Sequence, residues 1–313
     1  MDTDKTRNSQ RTAYGEELTA LGGENGDVVA LEADLGKSTM SNLFGAAYPE
    51  RYFEMGIAEQ NMMSTAAGLA AAGKIAFASS FAVFAFGRAY DQIRQTISIG
   101  KLNVKICGSS AGLSDFGDGS THQAIEDIAV MCALPNMTVF TPCDANETRK
   151  AVRAAAKIEG PVYIRVCRNP VVDYTAPEDI FIPGKLKVLR EGSDVAIFAF
   201  GVMLDAAMDA AEVLETRGVS ARVINCATMK PFDYAGCAKL CENMKAVVTA
   251  EEHTYIGGLA SAVALSLRTS RAPMDFVAVM DSFGQSAHSA EELYEHYGLT
   301  AANIVKKTVD LLT

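Results

Sequence analysis

The sequence predicts an α/β protein of two consecutive domains, each a mainly parallel sheet covered by helices. Three observations predict it. Short β-rich runs alternate with helical stretches along the whole chain. Several runs are apolar at every position, as strands are when helices cover both faces of a parallel sheet. One stretch, about Asn169 to Arg190, breaks the rhythm with Pro170, Pro177, Pro183 and Gly184 among Asp, Glu and Lys. It reads as a connection between domains. Residues 1–175 are therefore expected to form the first domain, 176–190 the linker and 191–313 the second.

In chain order, the first domain opens with a helix over Arg11–Leu21 and a strand over Val28–Glu32. A helix over Ala58–Ala72 follows. Its Ala/Gly-rich part, Ala66 to Gly73, permits close packing. Next come a strand at Ile75–Ala78, a helix at Ala85–Ser98 and a strand at Val104–Cys107. A helix at Ala124–Met131, a strand at Thr138–Thr141, a helix at Ala145–Ala156 and a strand at Val162–Val166 complete it. The second domain alternates strands at Val195–Phe200, Ala221–Asn225, Ala246–Ala250 and Phe276–Val279 with helices at Met203–Thr216, Tyr234–Glu242 and Leu259–Leu267. Helices at Ala290–Tyr297 and Ala301–Leu311 end it. No internal repeat is visible.

At 313 residues the chain is long enough for two cores. It is 49% hydrophobic with a mean hydropathy of +0.10, which excludes a disordered chain. The net charge is -10, and Lys and Arg are scattered, which argues against nucleic acid as a partner. Seven Cys, mostly in apolar contexts, fit reduced cytosolic thiols. Cys237 and Cys241 share a helix face but have no further Cys or near His to make a metal site. Met1 to Gln10 is polar, unlike a signal peptide, and no segment is long and apolar enough to span a bilayer. The protein is expected in the cytoplasm.

Glu59 carries the first chemical signal, in Phe53-Glu54-Met55-Gly56-Ile57-Ala58-Glu59-Gln60-Asn61-Met62. The run sets a carboxyl group at the start of a small-residue helix among apolar neighbours. A carboxylate favoured by the helix dipole is the ordinary reading of such a position. Phe81, Phe84 and Phe86 follow in one connection, where aromatic rings suit a flat heterocycle or plain core packing. The second signal is Gly117-Asp118-Gly119-Ser120-Thr121-His122-Gln123, a loop after a strand, where α/β sheets place ligand groups. Its Asp, His and exposed amides suit sugar hydroxyls. Gly117-Asp118-Gly119 with Asn146 imitates a metal–diphosphate motif, but no apolar strand precedes it and Glu147 follows Asn146; it is rejected as such. His253 and Gly257-Gly258 read as a structural turn, and His288 and His296 as surface residues.

The ordered motifs resemble the C-terminal half of transketolase occurring as a separate subunit. They are Glu32-Ala33-Asp34-Leu35, the Glu59 run, Phe81–Phe84, Asp118–His122, Pro135-Asn136-Met137, Pro142-Cys143-Asp144, Tyr163-Ile164-Arg165 with Arg168, and Glu251-Glu252-His253-Thr254-Tyr255-Ile256-Gly257-Gly258-Leu259. The resemblance implies a pyrimidine-binding domain followed by a transketolase C-terminal domain. It implies that Glu59 shares a proton with N1′ of the thiamine aminopyrimidine, and that Phe84, with Phe81, packs on that ring. Asp34 would lie near the cofactor at a subunit interface. His122 would bond donor-sugar oxygens and assist proton transfer, and Asp118 would read a hydroxyl. Ser38 and Arg168 would hold a distal phosphate, with Arg7 as a further candidate. Ser110 departs from the family, which has a substrate-contacting His eight residues before the loop aspartate. A phosphate, a sulfonate or an unphosphorylated end is then open at the distal position.

The chain has no diphosphate and divalent-metal motif. The resemblance therefore implies thiamine diphosphate shared with an N-terminal transketolase subunit, which would also hold Mg²⁺ or Ca²⁺. Two such pairs would make an α2β2 heterotetramer that transfers a two-carbon ketol unit from a ketose to an aldose. The alternatives are a 1-deoxyxylulose 5-phosphate synthase-like chain, for which Arg88-Ala89-Tyr90-Asp91-Gln92 speaks, and a 2-oxo acid dehydrogenase β subunit. A non-catalytic assembly subunit is the alternative of another class.

Overall fold

The structure is a computed structural model and describes residues 6–313. The first five residues of the expected first domain lie outside the described residues. The first sheet holds β1 (Val28–Glu32), β2 (Tyr52–Glu54), β3 (Ile75–Phe81), β4 (Val104–Ser109), β5 (Thr138–Phe140) and β6 (Val162–Arg165), all parallel. β1, β4 and β6 are buried at every residue, because helices lie on both faces. Helices α1 (Gln10–Glu24) and α4 (Ala145–Lys157) cover one face through Tyr14, Leu18, Ala151 and Val152. On the other face, α2 (Glu59–Ala71) packs with Met62, Met63 and Ala66, and α3 (Asp127–Ala133) with Ile128 and Met131. Local chemistry starts α1 and α4. Ser9 Oγ accepts from Thr12 N at 3.2 Å, and Asp144 Oδ1 accepts from Glu147 N at 2.7 Å.

The second sheet holds β7 (Lys187–Arg190), β8 (Val195–Ala199), β9 (Ala221–Asn225), β11 (Ala246–Thr254) and β12 (Met274–Val279), in the order β12-β11-β8-β9-β7. All pairs are parallel except the edge strand β7. Helices α5 (Met203–Thr216) and α7 (Ala301–Leu312) pack on it through Leu204, Ala207, Ile304 and Val305. Helix α6 (Leu259–Ser266) packs through Leu259 and Val263. Strand β10 (Thr228–Lys230) leaves this sheet and pairs antiparallel with β5, so the first sheet runs β10-β5-β6-β4-β3-β1-β2. Among the described residues, no helix is long and apolar enough to cross a membrane.

The expected helix over 85–98 is not a plain α-helix. It winds as π-helix at Val83–Arg88 and again at Ile93–Ser98. A wider turn of this kind re-aims side chains and recurs at functional sites. Here it directs Phe86 into the core and leaves Phe84 half-buried and Arg88 exposed.

The two domains meet over a buried charge network. Arg165 Nε donates to Asp127 Oδ2 at 3.1 Å, and Arg165 Nη2 donates to the Glu252 carbonyl at 2.9 Å. Leu113 N donates to Glu252 Oε1 at 2.8 Å, and Tyr163 Oη donates to Asp127 Oδ2 at 2.8 Å. Burial works against the charge on Arg165, and Asp127 and Glu252 more than offset it. The segment around Gln285 grips the other end of the same loop. Gln123 Nε2 donates to the Gln285 carbonyl at 3.0 Å, and Ala287 N to the Phe116 carbonyl at 2.9 Å.

Candidate active site

The carboxyl ends of β1, β2, β3, β4 and β6 converge on one edge of the first sheet, the edge where parallel sheets bind ligands. Glu59 stands there as the first residue of α2, with its side chain 1% exposed. Its carboxylate meets Arg88 Nη1 at 3.3 Å, and the Arg88 guanidinium also lies 5.0 Å over the Phe84 ring. The π-helical turn makes this possible, since it carries Phe84 and Arg88 together.

Phe81 and Phe84 are stacked at 6.3 Å with an interplanar angle of 15°. His122 stands edge-on to both, at 6.3 and 5.1 Å. Its Nδ1 is 2.9 Å from Thr121 Oγ1. Glu59, Phe81, Phe84 and His122 thus come from one neighbourhood, joined through the Phe84 ring. Ile57, two residues before Glu59, is 75% exposed. A large apolar side chain thus faces solvent beside the site.

A second cluster lies at the same edge. Arg168 Nη1 donates to Asp115 Oδ1 at 2.6 Å and stands 3.7 Å from Asp118 Oδ2. Arg11 Nη1 donates to the Ser38 carbonyl at 2.8 Å. Burial lowers the Arg11 pKa and the nearby Arg168 lowers it further; Asp115 pulls the other way. Two guanidiniums held together in this way favour an anion or a strong acceptor. Ser110 lies at the end of β4, fully buried, at φ 52° and with no hydrogen-bond partner for Oγ.

Arg7 is not brought to this cluster. It pairs with Asp205 of α5 at 2.9 Å, in a short ladder where Arg7 lies opposite Val172. Arg11, not Arg7, lies beside Arg168 and Asp115. The sequence did carry a signal for it: Arg11 lies three residues before Tyr14 and seven before Leu18, both buried, so it shares the inner face of α1.

Asp34 and Ser38 ride on a loop whose anchor the sequence does not single out. Glu32 is fully buried. Its Oε1 accepts from Ala33 N and Leu35 N at 3.0 and 3.1 Å. Its Oε2 accepts from Thr39 and Ser41 hydroxyls at 2.7 and 2.6 Å. Burial raises the Glu32 pKa, and these four donors oppose the rise. On the next strand, Glu54 Oε1 accepts from Asp34 N at 2.8 Å and Gly56 N at 3.0 Å. That tie links the Asp34 loop to the loop that leads into Glu59. Asp34 itself is exposed, at φ 60°.

The remaining sequence candidates are structural. Asn146 Nδ2 donates to the Thr175 carbonyl at 2.7 Å. Glu251 accepts from Leu259 N and Ala260 N at the start of α6, and Gly257 N donates to Ser261 Oγ at 3.0 Å. His253 is buried. Burial lowers its pKa to about 4. His288 and His296 are exposed.

The model of the transketolase pyrimidine-binding domain matches residues 8–172, and that of the transketolase C-terminal domain matches residues 184–304. The chain belongs to the transketolase family. It is 40% identical over 297 residues to the 6-deoxy-6-sulfo-D-fructose transketolase subunit of Clostridium sp. (strain MSTE9), across 95% of this chain and 92% of that one. It is 33% identical over 303 residues to an apulose-4-phosphate transketolase subunit of Phocaeicola vulgatus, across 96% and 97%. A solved split-gene transketolase, described as an inactive β4 tetramer, superposes with a TM-score of 0.90 at 50% identity, over 97% of this chain and 98% of that one.

Transketolases depend on thiamine diphosphate. Residues of this transketolase chain have the chemistry to meet a flat heterocycle. Glu59 offers a buried carboxylate, and Phe81 and Phe84 offer stacked ring faces beside it. Among the described residues, no group of three or more His, Cys, Asp or Glu side chains is placed to hold a metal ion. The likeness to split-transketolase subunits along nearly the whole chain makes it a split transketolase-type β subunit.

Proposed function

We propose that this chain is the C-terminal subunit of a two-component transketolase, which transfers a two-carbon ketol unit reversibly from a ketose to an aldose. The observation that carries the reading is Glu59, a buried carboxylate joined through Arg88 to the Phe84–Phe81 ring cluster. When bound, thiamine diphosphate supplies a nucleophilic carbon that adds to carbonyl groups. The residues of this chain do the rest. Glu59 holds and exchanges the proton at ring nitrogen N1′. Phe84 and Phe81 orient the pyrimidine and exclude water from it. His122, at the rim of the same cluster, holds a proton against the donor-sugar oxygens. Asp118 orients a sugar hydroxyl, and Arg168, Arg11 and Ser38 meet the distal end.

The diphosphate and its Mg²⁺ or Ca²⁺ belong to an N-terminal partner subunit. Asp34, exposed on the loop held by Glu32 and Glu54, meets that partner across the interface. Two pairs form the α2β2 enzyme. The split-gene relative that is inactive as a β4 tetramer supports both self-association and dependence on a partner.

The test is to purify the chain alone and together with its N-terminal partner, then assay each for ketol transfer with thiamine diphosphate and Mg²⁺. The pair is expected to turn over and the lone chain is not. Turnover by the lone chain would sink the proposal.

A further inference from the structure

The loop that carries Asp118 and His122 is not held by its own domain alone. A connection of the second domain, residues 280–289, runs from β12 to the helix Ala290–His296 and lies against it. That connection is tied down within its own domain. Tyr297 Oη donates to the Phe283 carbonyl at 2.9 Å, and His288 N donates to Glu292 Oε2 at 2.9 Å. Between these ties lie the two bonds that cross to the first domain, from Gln123 Nε2 to the Gln285 carbonyl and from Ala287 N to the Phe116 carbonyl. Phe116 comes just before Gly117-Asp118-Gly119, and Gln123 comes just after His122. The second domain thus brackets the segment that carries both residues.

Two glycines set how closely the segments approach. Gly119 has φ 73°, and a Cβ there would stand 2.5 Å from Ser286 Oγ and 3.1 Å from Ser286 N. A Cβ on Gly284 would overlap Gln123 Oε1 and stand 3.1 Å from Leu113 Cδ2. The Gln123 side chain has little freedom to swing aside. It is 3% exposed, and its Nε2 also donates to the Asp115 carbonyl at 3.2 Å. A contact packed this closely transmits a shift of one side to the other. Glu59, Phe81 and Phe84 are placed differently, by α2, β3 and the π-helical turn of the first domain. The ring cluster and the Asp118–His122 loop therefore have separate supports.

We infer that the second domain is a positioning element of the sugar end of the site, and that Gln123 and Gly284 are the positioning residues through which it aims Asp118 and His122. What the loop does for the sugar rests on the ketol-transfer reading above. That the second domain holds the loop rests on the contacts alone. A displacement of about 1 Å at a positioned group costs about 10²-fold in rate, so a grip of this kind is worth that much to turnover.

The experiment compares Gly284→Ala and Gln123→Ala, singly and together, in the reconstituted pair and well below the lowest melting midpoint. Gly284→Ala should lower kcat for ketol transfer from xylulose 5-phosphate to ribose 5-phosphate by about 10- to 100-fold. Gln123→Ala, which releases the same bond, should fall in the same range. The double variant should be no slower than Gln123→Ala, because the obstacle to the new methyl group is gone. Calorimetric affinity of the pair for thiamine diphosphate should not change in any of them. A merely structural role would lower the melting midpoint, leave kcat unchanged at this temperature and add in the double variant. Hydrogen exchange on the lone chain is a readout free of turnover. Amides of residues 117–123 should exchange about tenfold or more faster in either single variant, and those of α2 should not. Unchanged exchange in that segment, an unchanged kcat in Gly284→Ala, or full additivity in the double variant would overturn the inference. A wild-type pair without ketol transfer would sink the functional reading instead, and the exchange result would still decide whether the second domain holds the loop.

Discussion

Glu59 on α2 and Glu251 beside α6 are both buried carboxylates at helix starts. Glu251 is fully consumed by the fold: its two oxygens accept from Leu259 N at 2.6 Å and Ala260 N at 2.8 Å. Its neighbours Glu252 and His253 accept from Leu113 N and Ala129 N at the domain junction. Glu59 is as deeply buried, yet its partner among the described residues is one guanidinium at 3.3 Å, itself half exposed. The first carboxylate satisfies a helix. The second is paired loosely, beside a ring cluster. The same residue type in the same local setting is structural in one domain and chemical in the other, and what separates them is how far the fold has already answered their polar atoms.

Substitutions break this comparison in order of effect. Glu59→Gln should lower ketol transfer by the reconstituted pair about 10²–10⁴-fold, the range a positioned proton-transfer group supplies. Its melting midpoint should not fall, because the fold makes little use of that carboxylate. A lower midpoint with retained activity would reverse the assignment. Arg165→Leu does the opposite. It leaves Asp127 and Glu252 buried without their cation and should cost about 3–5 kcal/mol in denaturant unfolding. The ring cluster is untouched by that change.

Acid sharpens the contrast at the junction. His253 accepts from Ala129 N at 3.4 Å through Nε2, and its Nδ1 lies 2.7 Å from the Thr254 carbonyl oxygen. Its pKa is lowered to about 4 in the fold, against 6.5 for a free side chain. A group lowered on folding contributes stability above the unfolded value and loses it as pH falls through the folded one. His253 should therefore withdraw roughly 3 kcal/mol between about pH 6.5 and pH 4, while Glu251, which burial raises to about 8, works in the opposite direction as pH falls. The His253 part is read as the difference between the wild-type and His253→Gln profiles, and it should be absent from the variant. Arg88→Met, the smallest change, should move stability by less than about 1 kcal/mol, as expected for a pair with an exposed partner. Unfolding curves at constant pH check it.

Much of this was legible in the sequence. The buried strands and α5 announce themselves because their signals are local: apolar runs and a helical repeat from Met203 to Thr216. The Glu59 run and the Asp118–His122 loop were legible by residue type and order. What was hidden depends on distant contacts. The turns at Gly36–Thr39 and Asn42–Ala47 follow a loop held by the buried Glu32. Strand β10 has a sequence neighbourhood in the second domain and its hydrogen bonds in the first. The π-helical turns need the partners of Phe84 and Arg88 to be seen. Asp115 is silent in the sequence because nothing local says that a loop aspartate is buried against an arginine fifty-odd residues away.

The central claim is that Glu59 belongs to half of a cofactor site. Calorimetric titration of thiamine diphosphate with Mg²⁺ tests it most directly, on the lone chain, on the wild-type pair and on the pair carrying Glu59→Gln. The account predicts no binding by the lone chain, saturable binding by the wild-type pair and weakened binding by the Glu59→Gln pair. Tight binding by the lone chain, or equal binding by both pairs, would contradict it.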